Sequence, residues 1–552
     1  MTEVLTSAQM RAIEKAAIDS GAVTGLDLME RAGEGVVRAI LAEWPELATG
    51  APRAVVLCGP GNNGGDGFVM ARLLHGRGWA VRVLAMAPPE ALPPDAARNA
   101  RRWQALGPIE PLTEASLRRG APNDLYVDAI FGTGLSRPPV GDCLDVLTHI
   151  GGRNGDAGYY TPRLVAVDAP SVLCLDSGRS LYPGWDCPRA RLTVTFDSPK
   201  AGHLLAQGPA LCGKLAVVDI GVGPWRAGSP QGQSQGRPRE PGPPAALGRV
   251  EPFLAPFPRT PGAFVPGMLG KAGWDEADRT HKFTFGHAIV LGGPAGRGGA
   301  ARLAARGALR IGAGLVTIAS PPAAMAENAA RLDAIMLREM ADGAALATLL
   351  EDRRITALCL GPGLGTDAHM GGILAGALRA PLPARRGLVL DADALTLLAQ
   401  HPDLFAALHG ACVLTPHGGE FARLFPDLAE RLNAPATQGP AYSKVDATRE
   451  AAARSGCVVL FKGPDTVIAT PDGRAAIHAA AYDRAAPWLA TAGSGDVLAG
   501  FITGLLARGF DPFDAACTAA WLHAECARSF GPGLLAEDLP EELPKVFRAL
   551  GL

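Results

Sequence analysis

The sequence carries no surplus of charge of either sign: 52 basic residues stand against 54 acidic ones, a formal net charge of −2 over 552 residues. A protein that binds a polyanion normally shows a basic excess or clustered basic stripes, so nucleic acid is excluded as a partner class. Any anionic ligand has to be held locally. No run of about 18 apolar residues occurs, which excludes a membrane-spanning helix from the expectation. The opening stretch MTEVLTSAQMRAIEKAAI carries Arg11, Glu14 and Lys15 where a signal peptide needs an uninterrupted apolar run. A cytoplasmic protein is expected. The ten cysteines form no CxxC pair, and several lie inside apolar runs, so they read as small core residues.

What is present is a globular balance, with 48% hydrophobic and 19% charged residues. Single cores stop growing at roughly 250 to 300 residues, so two or three domains are expected. Pro, Gly, Gln and Arg replace the apolar segments from Pro224 to about Pro261. The resulting division is a first domain over 1–224, a Pro/Gly-rich linker over 225–248 and a second domain over 249–552. On either side, short β-rich runs alternate with helix-sized stretches, for example Ala54 to Cys58, Leu125 to Asp128 and Leu164 to Asp168 before the linker. After it come His287 to Leu291, Leu388 to Asp391 and Val458 to Phe461. That rhythm predicts an α/β fold in both halves, the first a Rossmann-like, doubly wound parallel sheet.

VVLCGPGNNGGDGFVMARLL is an apolar strand running into a loop with five glycines between Gly59 and Gly67, then a helix. Strand, glycine loop and helix start together make an anion cradle, through close backbone approach and free N–H groups. The lysine of a P-loop is missing; Asn62, Asn63 and Asp66 stand where side chains can face a ligand. Two more strand ends carry matching chemistry: Asp128 precedes a Gly-Thr-Gly loop in YVDAIFGTGLSRPP, and Asp168 and Ser171 lie in LVAVDAPSV. Ligands of open α/β sheets bind at such ends. A single aspartate there is as readily a turn former, so the joint occurrence carries the argument.

Over about residues 5–220 these motifs, with the opening TSAQMRAIE, resemble the NAD(P)H-hydrate epimerase family. The resemblance implies that Asn62, Asn63, Gly64, Gly65, Asp66 and the run Gly132, Thr133, Gly134, Leu135, Ser136, Arg137, Pro138 hold the substrate nucleotide. It also implies that Asn63, Asp128 and Ser171 surround a potassium ion, and that Asp168 is the catalytic group at the hydrated nicotinamide ring. Val172 stands where the family usually has glycine. Epimerisation requires hydroxide to leave and return on the other face, with the ring nitrogen supplying electrons. Asp168 is expected to donate a proton to the leaving oxygen, accept one from returning water, and steady the cation between.

In the second half, WLATAGSGDVLAGFITGLLARG reads as a Gly/Ser loop opening a long helix, with Asp496 in its first turn. The loop amides suit an anion, and Asp496 suits a base. A plain N-terminal cap with an acidic first turn is the alternative. GHAIVLGGPAGRGG, LCLGPGLG, LDADAL, LTPHGGEFARL and FKGPDTVIA precede it in order. Together they resemble the NAD(P)H-hydrate dehydratases of the ribokinase-like superfamily, over about residues 250–550. That implies a ribokinase-like α/β domain in which Ala300, Gly363, His417 and the base Asp496 meet the hydrated dinucleotide. Lys462, Gly463, Pro464, Asp465, Thr466 and Gly495 would hold the adenosine nucleotide. The implied reaction phosphorylates the ring hydroxyl with ADP, expels phosphate and leaves AMP, with magnesium expected at the phosphates. Gly418, Phe283 and Ala492 depart from the usual pattern.

The partners expected are therefore small molecules, hydrated NADH and NADPH and ADP, with oligomeric state left open. Two rival readings stand beside this one: an ATP-dependent kinase of a small metabolite, and a non-catalytic binding module as the first domain.

Overall fold

The computed structural model describes residues 2–119, 123–152, 163–182, 187–226, 247–249, 269–271, 281–380 and 386–552. The stretch expected to be a linker therefore lies outside the described residues, except for Trp225, Arg226, Leu247 and Gly248. The chain forms two compact units, one of Glu3–Gly242 with Ala434–Ser443, the other of Met1–Thr2, Pro243–Asn433 and Lys444–Leu552.

After a two-residue strand, β1 (Thr2–Glu3), the first unit builds a sheet from β2 (Arg53–Cys58), β3 (Ala80–Ala85), β4 (Ile109–Pro111), β5 (Leu125–Ala129), β6 (Arg163–Val167), β7 (Leu192–Phe196) and β8 (Lys214–Val218). Their order is β4-β3-β2-β5-β6-β7-β8, and every pairing is parallel. The chain runs outward from β2 through β3 to β4, then restarts on the other side at β5. This is the doubly wound arrangement, and its switch point lies where the carboxyl ends of β2 and β5 diverge. β2 and β5 read as unbroken apolar runs because helices cover both sheet faces.

The second unit repeats the principle with β9 (Leu247–Arg249), β10 (His287–Leu291), β11 (Leu315–Ser320), β12 (Met336–Glu339), β13 (Ile355–Leu360), β14 (Gly387–Leu390), β15 (Cys412–Leu414), β16 (Val458–Phe461), β17 (Asp465–Ala469) and β18 (Ala475–Ala479). The sheet order is β1-β9-β18-β17-β16-β15-β14-β13-β10-β11-β12. Its centre is parallel, β16, β17 and β18 are antiparallel, and the switch point lies between β10 and β13. No helix among the described residues is long and apolar enough to cross a membrane. All ten cysteines are free thiols, buried except the half-buried Cys187.

The helix Ser494–Ala507 is buried at every position from Val497 to Ala507, as a helix apolar all round must be. It lies so close to the helix Gly299–Arg310 that a Cβ on Gly500 would stand 2.1 Å from the Ala304 carbonyl oxygen. Helical propensity alone favours alanine over glycine by ~1 kcal/mol. Overpacking against a backbone atom costs about 1–3 kcal/mol, so contact outweighs propensity. Gly500→Ala is expected to lower the stability of the second unit by about 1–2 kcal/mol in urea unfolding, and a gain in stability would show that the two helices separate easily.

Candidate active sites

In the first unit the glycine-rich segment is more helical than its sequence suggests. The helix begins at Asn62, immediately after Gly61, and places Asn63, Gly64, Gly65 and Asp66 in its opening turns. The glycines are there mainly for packing: a Cβ on Gly64 would stand 2.1 Å from the Gly59 carbonyl oxygen, and one on Gly67 would stand 2.9 Å from Cys58 Sγ. The amides of the helix start still face the switch point.

Asp168 follows β6 with φ 63°, a left-handed conformation rare for a residue with a side chain. It is buried, and its neighbours fix it. Its N–H donates to the Val194 carbonyl at 2.8 Å. Its Oδ1 accepts from Lys200 Nζ at 3.0 Å and Thr195 Oγ1 at 2.8 Å, and its Oδ2 from the Thr133 N–H at 3.0 Å. The His203 ring bonds the Asp168 carbonyl at 2.8 Å and accepts from the Lys200 N–H at 3.0 Å, so Nε2 carries the proton. Burial pushes His203 down to about 4. Burial is the largest influence on the Asp168 carboxyl and would raise it, but the Lys200 ammonium, His203 and the hydrogen bonds from Lys200 and Thr195 together hold it below its usual range. This environment suits proton acceptance.

A Cβ on Gly132 would come within 2.7 Å of Asp168 Oδ2 and 3.1 Å of Asn63 Oδ1, so these two side chains converge over a glycine that leaves them room. Asn63 Nδ2 is buried and has no partner. Asp128 and Ser171 are joined directly: Ser171 donates from Oγ at 2.5 Å and from its N–H at 2.8 Å. Of the residues Gly132 to Pro138, Leu135 turns into a small apolar cluster with Cys174, Leu181 and Ala441, while Ser136 and Arg137 are exposed. Val172 is fully buried outside the left-handed region, so valine meets no backbone strain there.

Sequence reasoning missed Lys200, Thr195, His203 and Glu14. Glu14 is pushed up to about 7 by burial and by the charge of Asp168, against the opposing charges of Lys200 and Arg11. Asp66 is likewise driven well above its usual range by burial, Glu14 and Asp168. The only signal for Lys200 was a lysine just beyond the apolar run of β7.

The second site gathers at the carboxyl ends of its parallel strands. The helix Gly299–Arg310 follows β10 and brings Ala300 to 3.5 Å from where a Cβ on Gly363 would lie. Asp391 follows β14, is buried, and accepts from Lys462 Nζ at 2.7 Å and Thr415 Oγ1 at 2.8 Å. Lys462 Nζ also lies 3.8 Å from Glu420 Oε2 and 3.6 Å from a Cβ built on Gly495. Lys462 therefore joins the acidic cluster to the glycine loop.

Asp496 sits in the first turn of the helix Ser494–Ala507, whose preceding Gly493 has φ 89°. Burial, with the charges of Asp391, Asp393 and Glu420, raises Asp496 to about 6 despite Lys462. His417 caps the helix Gly418–Leu424, its Nδ1 accepting from the Gly419 N–H at 3.0 Å. Asp465 is paired with Lys444 at 2.7 Å, and the Thr466 hydroxyl donates to the Gly463 carbonyl at 2.8 Å. Those two side chains shape the turn after β16, whose backbone is itself engaged: the Lys462 N–H donates to the Pro416 carbonyl at 2.8 Å and the Gly463 N–H to Thr466 Oγ1 at 3.2 Å. Asp391 and Glu420 lay inside motifs read from the sequence but were given no role. Their pairing with Lys462 needed the fold.

Each unit thus joins a helix-start anion cradle to an aspartate at a sheet switch point, the constitution of a two-centre α/β enzyme. Residues 25–202 match the family described as YjeF-related protein N-terminus, and residues 288–545 match NAD(P)H-hydrate dehydratase. A bifunctional NAD(P)H-hydrate repair enzyme of Moorella thermoacetica is 35% identical over 99% of this chain and 97% of its own. One from Coxiella burnetii is 33% identical over 98% of each. An NAD(P)H-hydrate epimerase of Roseobacter litoralis is 44% identical over 40% of this chain and 100% of its own. Among solved structures, an ADP/ATP-dependent NAD(P)H-hydrate dehydratase from Bacillus subtilis is 28% identical, covering 49% of this chain and 91% of that one with a TM-score of 0.39. The chain belongs to the bifunctional NAD(P)H-hydrate repair enzymes.

Removing the cation at the centre of the second site is expected to be costly. Lys462→Met leaves Asp391 and Glu420 uncompensated, a loss of about 3–5 kcal/mol. Urea unfolding reads that loss, and a loss under about 1 kcal/mol would mean that Lys462 acts only by packing.

Proposed function

We propose that the first unit interconverts the R and S forms of hydrated NADH and NADPH, and that the second dehydrates the S form with ADP, giving NAD(P)H, AMP and phosphate. The observation that carries this reading is likeness to a bifunctional repair enzyme along 99% of the chain, so both halves are accounted for together. A kinase with an inert first domain is not favoured, because it leaves the assembled surroundings of Asp168 without a use.

In the second site Asp496 takes the proton from the ring hydroxyl as the phosphoryl group moves to that oxygen. Gly495 and the helix start offer amides to the phosphates, and Lys462 adds a cation. Ala300, Gly363 and His417 line the place of the hydrated dinucleotide. Magnesium fits as a companion of the nucleotide phosphates, since Asp391 is engaged by Lys462 and Asp393 accepts from the Gly365 N–H. In the first site, Asn63 and the helix start face the nucleotide. Potassium fits Asp128 and Ser171, because Asp128 is a buried carboxylate with no cationic side chain bonded to it. Such an ion would neutralise Asp128, whose carboxyl burial otherwise pushes up. The absence of any charged run suited to nucleic acid or membrane leaves small molecules as partners, and the cytoplasm as the proposed compartment.

Purified hydrate epimers, followed at the dihydronicotinamide absorbance with ADP, ATP or neither, test this directly. ADP is expected to restore the absorbance, with AMP as product; stable phosphorylation of another metabolite by ATP, with hydrate untouched, would establish the kinase instead. Asp496→Asn is expected to slow dehydration about 100- to 10,000-fold and leave epimer exchange intact. A base must be ionised, so the wild-type dehydration rate should fall as pH drops through about 6. A rate flat down to pH 5 would remove Asp496 as the base. Potassium replaced by a larger monovalent cation is expected to slow epimer exchange, and Asp128→Asn to abolish that dependence.

A further inference from the structure

Epimerisation breaks the ring C–O bond with its electron pair leaving on oxygen, while the ring nitrogen lone pair forms the C=N bond of an iminium. The departing oxygen takes up one proton and leaves as water. Water then adds to the opposite face and returns one proton, so atoms and charge balance over the cycle.

Lys200, which the sequence reading passed over, is fully buried, and its ammonium donates to Asp168 Oδ1 at 3.0 Å, Thr195 Oγ1 at 2.7 Å and the Phe196 carbonyl at 3.0 Å. An ammonium has three donors and no acceptor, so none remains for a substrate. The Thr195 hydroxyl, held by Lys200, donates in turn to the same Asp168 Oδ1 at 2.8 Å. Oδ1 is thereby occupied. Oδ2 accepts only from the Thr133 N–H and keeps a free direction beside Gly132, where no side chain intervenes.

We propose that Lys200 is the positioning residue of the epimerase site: from behind Asp168 it fixes that side chain as an ionised carboxylate whose Oδ2 faces the ring, so Asp168 acts as proton acceptor and counter-charge to the iminium. The proton for the departing oxygen comes from elsewhere in the site, where the helix Ser7–Asp19, tied to Thr133 by the Arg11 bond to its carbonyl at 2.6 Å, carries Glu14, whose carboxyl is pushed up to about 7 by burial and the charge of Asp168. The proposal rests on the epimerase reading and adds a division of labour to it. The charged and titratable groups that act on Asp168 are Lys200 and His203 from the segment after β7, Glu14 from the helix Ser7–Asp19 and Asp66 from the helix Asn62–His75, while Arg11 and Asp197 act on Glu14.

The test is the pH profile of epimer exchange in the full-length protein without ADP, with spontaneous interconversion subtracted. Loss of the cation lets burial raise the Asp168 carboxyl, so in Lys200→Met the acidic limb should move up by about 1–3 pH units. Exchange at pH 5 should then fall by up to about 50-fold and recover toward pH 7, while ADP-dependent dehydration is unchanged. Thr195→Val, which removes one small donor from the same oxygen, should move the limb in the same direction by less, and it decides the matter if Lys200→Met does not fold. An unmoved limb in Thr195→Val, together with a wild-type or uniformly lowered profile in Lys200→Met, overturns the proposal. Absence of exchange in the wild-type protein itself removes the epimerase reading, and the proposal with it.

Discussion

A carboxylate buried at the end of a parallel strand must be matched by a cation or lose its charge, and both sites of this protein are organised by how that constraint is met. The desolvation penalty of a buried ion is several kcal/mol, more than a neutral hydrogen bond returns. Each unit buries one aspartate–lysine pair at its switch point, Asp168 with Lys200 at 3.0 Å and Asp391 with Lys462 at 2.7 Å. In the first unit the paired aspartate is the proposed reacting group. In the second it stands beside that group, and Asp496, left without a bonded cation, rises to about 6.

The difference follows from where each lysine enters. Lys200 comes from a short segment beyond β7, reaches Asp168 from inside the fold and exhausts its donors there. Lys462 ends β16 and lies open on the side of Gly495, with one strong bond to Asp391 and a longer approach to Glu420. The first lysine can only hold its partner, and the second retains capacity to meet a phosphate. The same pairing thus leaves a lysine fully occupied in one unit and partly free in the other.

The parts of this arrangement that were legible in the sequence are those encoded locally. β2, β5, β10 and β16 are largely apolar runs, and they lie where periodicity puts them. Asp168 and Lys462 stand just past strand ends, and Asp496 opens a helix after a glycine loop, placements that are readable locally. Five strands were not legible: β1 and β9 are only two and three residues long, β4 is three residues ending in proline, β12 is the exposed edge sequence MLRE, and β18 is alanine-rich, so none has the length or β-branched content that marks a strand. The partners of the reacting groups were illegible for another reason. Lys200 is 32 residues from Asp168 and Lys462 is 71 from Asp391, separations that no local pattern records. Four of the glycines of GPGNNGGDG, Gly59, Gly64, Gly65 and Gly67, also meet close neighbours that leave no room for a Cβ, a reason the sequence could not show.

Ionisation also accounts for why two such sites serve one repair. Epimerisation returns every proton it takes and interconverts species of similar energy, so an acceptor locked as a carboxylate can act in both directions beside a separate protonated acid. Dehydration driven by phosphoryl transfer runs one way, and its base must pick up a proton during the transfer. A carboxyl poised near 6 is ionised at neutral pH and is a stronger base than an ordinary aspartate, which favours that uptake. A low-lying carboxylate like Asp168 would be a poor base for the second reaction.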